Sequence, residues 1–156
     1  MQIIPLMRKA CHGALLTAGV RLMEPVLLYE FICLGDNFEI LNKVLKKRRG
    51  HLTETTPSPG TPITLIQAYV PAIESIGLET DIRLLSRGQI FCSSFYSHYQ
   101  IVEGDPLDSS IELPPLTKVQ KSHLARDLMV KTRRRKGMSD DVVITSYFDL
   151  EELDIE

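Results

Sequence analysis

The side chains of this chain that are most suited to binding a partner lie in two dense clusters of Lys and Arg. One or two cations near a helix C-terminus complement the helix dipole by roughly 0.3–1 kcal/mol. Four or five cations crowd like charges together, and phosphate groups of RNA or an acidic protein surface would relieve that repulsion. Solvated helix ends are the alternative interpretation. The first cluster is Lys43, Lys46, Lys47, Arg48 and Arg49, and the second is Lys131, Arg133, Arg134, Arg135 and Lys136.

The sequence lacks the spaced motifs of several enzyme and metal-site classes. It contains no G-x-x-x-x-G-K-[ST], no H-E-x-x-H and no G-x-S-x-G. Cys11, Cys33 and Cys92 lie far apart, which favours packed thiols in a reducing compartment over a disulfide or a zinc site. Asp105 and Asp108 of "GDPLD" are too few for a calcium loop and predict a turn. We therefore expect no catalytic, cofactor or metal site in this chain.

The charge distribution is strongly asymmetric although the net charge is only −2. Residues 118–137 hold eight Lys or Arg and one acid, and residues 138–156 hold seven acids and no Lys or Arg. Such blocks usually mark solvated or interacting edges. No apolar run approaches the roughly 20 residues of a membrane span, so we expect no membrane partner. Because the enzyme motifs are missing, we also expect no small-molecule substrate.

Apolar periodicity predicts alternating helices and strands. Beyond Pro71, a single helix with an apolar stripe of Leu78, Ile82 and Leu85 is expected, ended by Gly88. The alternation in "QIFCSSFYSHYQ" predicts a strand with one face on a core. In that strand Phe91, Phe95 and Tyr99 share a face. The predicted order is helix 5–18, strand 26–34, helix 38–49, strand 51–55, strand 63–70, helix 72–87, strand 89–100 and helix 122–136.

The central strand–helix–strand–strand–helix–strand order predicts an α+β fold, the ferredoxin-like βαββαβ sandwich. Two helices then cover one face of a four-stranded antiparallel sheet. The expected division of the chain is a helix remnant of a preceding domain at 1–22, the ferredoxin-like domain at 23–101, a connecting loop at 102–121, a basic helix at 122–137 and an acidic tail at 138–156.

Six stretches that occur in order along nearly the whole chain resemble one family. They are "QIIPLMRKAC", "RLMEPVLLYEF", "VLKKRRGHL", "PGTPITLIQAYVPAIESIG", "RGQIF" and "GDPLD". The resemblance is to the C-terminal region of the translocase-type GTPases related to eukaryotic elongation factor 2. It implies that "QIIP" opens a late helix of the fourth domain, and that "RLMEP" leads into a ferredoxin-like fifth domain similar to domain V of elongation factor G.

The end of the chain separates two branches of this family. "HLARDLMVKTRRRKGMSDDVVITSYFD" and "IESIGLETDIR" are similar to the splicing branch, the large GTPase of the U5 small nuclear ribonucleoprotein. The alternative is a C-terminal fragment of the translation factor. Tyr99 stands where the family usually has tryptophan, and Arg87 and Ile90 change the usual "GGQAF", as expected of a diverged copy.

The resemblance implies a docking module in pre-mRNA splicing that lacks its own GTP-binding domain and is not itself an enzyme. GTP and Mg²⁺ are expected only for the full-length family. The implied partners are the spliceosomal scaffold protein and the helicase of the U5 particle, with U5 small nuclear RNA as a further candidate. The implied location is the nucleus, or the cytoplasm under the translation alternative. A start inside a helix is expected of a truncated gene product, and a non-functional fragment is a third hypothesis.

Overall fold

The computed structural model describes residues 3–35, 37–111, 113 and 119–147. They form two compact units, one of residues 23–100 and one of the residues on either side of it. In chain order the elements are α1 (Ile3–Thr17), β1 (Met23–Leu34), α2 (Phe38–Lys47), β2 (His51–Pro57), β3 (Ile63–Pro71), α3 (Ala72–Ser75), α4 (Leu78–Leu85), β4 (Ile90–Ile101), a 3-10 turn (Lys121–His123), α5 (Leu124–Arg135) and a second 3-10 turn (Ile144–Tyr147).

The central unit is a four-stranded sheet with the strand order β2-β3-β1-β4. Strand β3 runs antiparallel to both of its neighbours, β1 and β2. One irregularity in the β2–β3 register falls between Leu52 and Glu54. This order and the helices between the strands confirm the predicted α+β ferredoxin-like fold.

The core of the central unit lies between the sheet and the helices α2 and α4. Phe31 on β1 and Ile66 on β3 are register partners, and both are almost completely buried. Leu41 and Leu45 of α2 and Ile82 of α4 belong to the same buried cluster. Burial of apolar surface stabilises the fold by roughly 25 cal/mol per Å², so the alternation along β1 and β3 decides which sheet face the helices cover.

The segment after Pro71 is two helices, and the prediction of one helix was wrong. Gly77 separates α3 from α4 and has a φ of 77°, a left-handed conformation that favours glycine. Leu78 and Ile82 are buried as expected, but Leu85 is 56% exposed. The buried apolar stripe of α4 is therefore one residue shorter than the sequence pattern predicted.

The aromatic face of β4 is not the face that lies on the core. Ile90 is buried and Cys92 packs against the core cluster. By contrast, Phe91, Phe95 and Tyr99 are each more than half exposed. The period of two was correctly recognised, but in β4 the aromatic residues are not the ones that pack on the core.

Backbone hydrogen bonds hold the second unit together, and one of them joins the residues before 23 to those after 100. The Val102 amide donates to the Leu22 carbonyl at 2.9 Å, and the Ala125 amide donates to the Glu103 carbonyl at 3.1 Å. Parts of the predicted loop and tail, residues 112, 114–118 and 148–156, lie outside the described residues. The predicted five-part division of the chain stays a prediction.

The three thiols are expected to differ in their rates of alkylation. Cys11 is exposed, Cys33 is buried and Cys92 is half-buried. Burial raises the pKa of the Cys33 thiol. Burial, followed by the charge of Glu79, raises that of Cys92. Because the thiolate is the nucleophile, iodoacetamide at neutral pH should label Cys11 first in native protein, with Cys33 last. Peptide mass spectrometry over time measures the order, and equal rates in native protein would contradict the burial of Cys33.

Candidate docking surfaces

Arg49 of the first cluster is held inside the central unit by Glu24. Its two terminal nitrogens donate to the two carboxylate oxygens of Glu24 at 2.7 and 2.9 Å. Glu24 is only 5% exposed. Burial lowers the pKa of Arg49, but the hydrogen bonds and charges of Glu24 and Glu74 raise it by more. A paired, bidentate arginine of this kind is a structural tie between α2 and β1 rather than a free phosphate ligand.

Arg48 of the same cluster fixes the connection between α3 and α4. Its Nη1 donates to the backbone carbonyls of Glu74 and Ile76, each at 2.7 Å. Its Nη2 donates to the carboxylate of Asp81 at 2.6 Å. Three hydrogen bonds donated by one guanidinium therefore connect the end of α2 to the segment that carries Gly77.

The lysines of the first cluster lie on the exposed side of α2. Lys43, Lys46 and Lys47 are all exposed. Within the described part of the chain, Lys43 and Lys46 have no side-chain hydrogen bond or ion pair. The structure thus divides the first cluster into two arginines that hold the fold and lysines that face solvent.

The second cluster is largely paired with acids and with a turn that follows it. Lys131 donates to Asp127 at 2.7 Å, one helical turn away. Arg133 Nε donates to the Ser139 carbonyl at 2.6 Å. Arg134 Nε donates to Asp140 Oδ1 at 2.8 Å, and its Nη2 donates to Asp140 Oδ2. We call residues 139–141 the acidic turn.

Each of the two aspartates in the acidic turn forms an ion pair with a different arginine. The hydrogen bonds from Arg134, which is the largest contribution, hold the pKa of the Asp140 carboxyl below its usual range. Asp141 pairs with Arg126, whose side chain is only 6% exposed. The Arg126 Nη1 also donates to the Pro106 carbonyl at 3.3 Å. Asp141 is therefore a partner of a buried cation, while Asp140 pairs with an exposed one.

Two cations at the end of the second cluster remain open to solvent. Arg135 and Lys136 are exposed. Neither side chain forms a hydrogen bond or an ion pair with any residue that the structure describes. Contact of any of the ten candidate cations with RNA or protein stays a prediction.

The sheet face opposite the helices carries an exposed apolar group, which we call the open face: Ile32, Leu65, Phe91 and Phe95. Ile32 and Leu65 are register partners on β1 and β3, and they are 42% and 46% exposed. Phe91 and Phe95 on β4 are 61% and 53% exposed. Apolar groups clustered in this way on a surface mark sites of interaction.

Polar side chains accompany the apolar group on the same face. Gln67 donates to Glu30 at 3.0 Å, and these two residues are also register partners. The ring of Tyr69 lies 5.7 Å from that of His51, its register partner on β2. An aromatic and apolar centre with polar neighbours is the usual composition of a protein–protein interface.

The "GDPLD" segment is a turn, as the sequence predicts. Asp105 accepts a hydrogen bond from the Leu107 amide at 2.9 Å, and Asp108 accepts from the Ser110 amide at 3.0 Å. The hydrogen bonds from Ser110 lower the pKa of Asp108. Within the described ranges there is no group of three or more potential metal ligands and no helix long and apolar enough to cross a membrane.

Comparison with known proteins identifies the family. The family described as "Elongation factor G C-terminus" matches residues 21–110. Over 153 residues, 98% of this chain, the sequence is 47% identical to the pre-mRNA-splicing factor cwf10 of Schizosaccharomyces pombe. Over 148 residues, 95% of this chain, it is 49% identical to the 110 kDa U5 small nuclear ribonucleoprotein component CLO of Arabidopsis thaliana. The chain belongs to the U5 small nuclear ribonucleoprotein branch of the elongation factor G family.

The chain spans only a small part of the length of these relatives. The chain spans 16% of cwf10 and 15% of CLO. It is also 41% identical over 141 residues to the pre-mRNA-splicing factor SNU114 of Saccharomyces cerevisiae, a match to 88% of this chain and 14% of SNU114. The chain therefore corresponds to the C-terminal part of these U5 components, and the splicing branch is confirmed.

Local sequence patterns did not predict the acids that pair with the cationic clusters of this U5-family chain. Glu24 lies 25 residues from Arg49, so no local pattern links the two. Asp140 and Asp141 closely follow the second cluster, and this short separation could have predicted that they pair with its arginines. The exposure of apolar side chains on the open face was also missed, although the alternation of Phe91 and Phe95 in β4 had marked two of them.

Proposed function

We propose that this chain is a protein-docking module of the U5 particle in pre-mRNA splicing, and that it works in the nucleus. The observation that carries the proposal is the open face, where four apolar side chains are exposed on the sheet opposite its helices. The assignment to the U5 particle is supported by two relatives. One is named as a pre-mRNA-splicing factor and the other as a U5 small nuclear ribonucleoprotein component.

The open face favours a protein over RNA as the main partner of the central unit. Arg48 and Arg49 are used inside the fold and are not available for phosphate contacts. Aromatic anchors such as Phe91 and Phe95 supply most of the affinity at protein interfaces. The scaffold protein and the helicase of the U5 particle are the proposed occupants, and U5 small nuclear RNA is the proposed further contact of the exposed lysines on α2.

The proposal assigns no GTP chemistry to these 156 residues. No phosphate-binding loop of the G-x-x-x-x-G-K-[ST] type occurs in the sequence. We assign the binding of GTP and Mg²⁺ to other parts of the full-length family members. A purified chain is accordingly expected to show no magnesium-dependent GTP hydrolysis above the buffer rate.

Recovery of the U5 particle with a tagged chain tests the docking role. Substitution of both Phe91→Ser and Phe95→Ser should lower the recovery of U5 small nuclear RNA and U5 proteins at least tenfold. The reason is that the loss of one interface anchor alone costs about 2 kcal/mol or more, which is more than tenfold in affinity. Quantitative RNA sequencing and mass spectrometry of the purified complex measure the change.

The matched control removes exposed apolar groups from the other side of the same unit. Ile76 and Leu84 are 79% and 73% exposed and lie outside the open face. The double variant Ile76→Ser, Leu84→Ser should recover U5 components within about twofold of the unsubstituted chain, because isolated exposed apolar residues carry little binding energy. Equal losses in both double variants, or recovery of ribosomal RNA in place of U5 RNA, would refute the docking role of the open face.

A further inference from the structure

The acidic turn accepts hydrogen bonds from two arginines at the C-terminal end of α5. Asp140 presents both carboxylate oxygens to the fork of Arg134, with Nε to Oδ1 at 2.8 Å. Arg133 holds the backbone of the same turn through the Ser139 carbonyl. The Ser139 hydroxyl donates to the Asp141 carbonyl at 3.0 Å, which closes the turn. Two adjacent arginines therefore have their donors directed at one short segment.

A two-pronged contact from a planar guanidinium is the geometry in which arginine binds a phosphate group as well as a carboxylate. The Asp140 carboxylate thus stands where two oxygens of a phosphodiester would lie. Arg135 and Lys136, which have no partner in the described part of the chain, extend the positive surface beside Arg134. The acidic turn consequently engages two of the four cations at this end of α5, Arg133 and Arg134.

We propose that the end of α5, residues 133–136, is a binding site for the phosphates of single-stranded RNA, and that the acidic turn competes with RNA for it. Displacement needs only the exposed Arg134–Asp140 pair and the contact of Arg133 with the Ser139 carbonyl to open, because Asp141 can keep its contact with Arg126. The Arg134 and Asp140 side chains are 60% and 44% exposed. An exposed pair of this type is screened by water and contributes little to stability, so an incoming phosphate can replace it.

The composition of the site favours RNA over an acidic protein. Three of its four cations are arginines, and their planar forks match the phosphate group. Met138 is the exposed apolar side chain next to them, whereas a protein interface is normally anchored by a buried aromatic or apolar cluster. The proposal does not depend on the open face, which lies in the central unit.

Binding of a fluorescein-labelled 20-nucleotide oligouridylate to the complete chain tests the competition. Asp140→Asn removes the charge of the competing carboxylate and leaves the buried Arg126–Asp141 pair untouched. One additional phosphate contact makes the slope of log affinity against log salt more negative by about 0.7 for a single strand, which is about fourfold in affinity at about 0.15 M salt relative to about 1 M salt. Fluorescence anisotropy over about 0.05–0.3 M salt, a range that lies on both sides of physiological ionic strength, should show both the tighter binding and the steeper salt dependence of Asp140→Asn.

A second exposed ion pair supplies the matched control. Arg83 pairs with Glu79 on α4, and both side chains are at least 60% exposed. Glu79→Gln changes the net charge by the same amount as Asp140→Asn, so its expected effect on RNA affinity is less than about twofold. Adding Arg134→Gln to Asp140→Asn should return the affinity to the level of the unsubstituted chain or below it. Circular dichroism verifies that each variant is folded.

Three results would overturn the proposal. The first is an Asp140→Asn variant that binds the oligouridylate no more tightly than the Glu79→Gln variant does. The second is an absence of RNA binding by both the unsubstituted chain and Asp140→Asn at the lowest salt. The third is displacement of the RNA by polyglutamate of equal charge at the same or lower concentration, which would assign the site to acidic proteins. None of these results bears on recovery of U5 proteins through Phe91 and Phe95.

Discussion

Replacing Arg49 by alanine should lower the free energy of unfolding of the central unit by about 2–3 kcal/mol. The change leaves the carboxylate of Glu24 buried without its two hydrogen bonds, and breaking a buried ion pair from one side typically costs about 3–5 kcal/mol. The lower figure applies because the Arg49 side chain is 24% exposed, so water screens part of the interaction. Urea denaturation followed by tyrosine fluorescence measures the loss.

A comparison of substitutions separates the ion pair from the backbone conformation at this position. Arg49 has a φ of 55°, in the left-handed region that glycine adopts without strain. Arg49→Gly should therefore be less destabilising than Arg49→Ala by up to about 1 kcal/mol. Lys46→Ala, on the exposed side of α2, should change stability by no more than about 0.5 kcal/mol. If Arg49→Ala were as mild as Lys46→Ala, the structural role of the arginine would be wrong.

Replacing Gly104 by alanine should destabilise the second unit by about 3 kcal/mol or more. A Cβ at this position would lie 2.2 Å from the carbonyl oxygen of Ser122, far inside contact distance, and the φ of 104° is itself strained for alanine. The strain costs about 1–3 kcal/mol, and the backbone shift needed to relieve the overlap costs a similar amount. Hydrogen exchange should show loss of protection in the amides of α5.

Gly19 provides the control for the strain alone. It lies in the same unit with a φ of 68°, and nothing lies within 4 Å of the position of its Cβ. Gly19→Ala should cost only about 1 kcal/mol from the unfavourable φ and leave the exchange of α5 unchanged. Equal loss of protection in the two variants would show that the close approach of Gly104 to Ser122 does not stabilise the unit.

The predicted elements of the central unit were largely correct because each depends on local patterns. The run from Val26 to Leu34 lies within β1, and the helix that begins at Phe38 is α2. Residues with periods of two and 3.6 must form strands and helices if their apolar side chains are to share a face. The break at Gly77 was missed because a glycine inside an apolar pattern does not reveal that its φ is positive.

The sequence could not predict the roles of individual cations, because these depend on partners distant along the chain. Arg48 and Arg49 are adjacent to Lys46 and Lys47 in one basic run, and composition treats all four alike. In the fold, the two arginines turn to Glu74, Asp81 and Glu24 and lose their availability for a partner. The number of cations in the sequence therefore overestimates the positive charge that this cluster exposes to a partner.

By itself, the sequence determined the family, the α+β ferredoxin-like fold and the two basic runs, because local periodicity and ordered motifs carry that information. Only the tertiary structure decided which cations face solvent and which face of the sheet remains open. Two helices can cover only one face of a four-stranded sheet, so Phe91 and Phe95 stay exposed on the other. An ion pair forms only where folding brings the two charges within a few ångströms, and chain order does not record that distance.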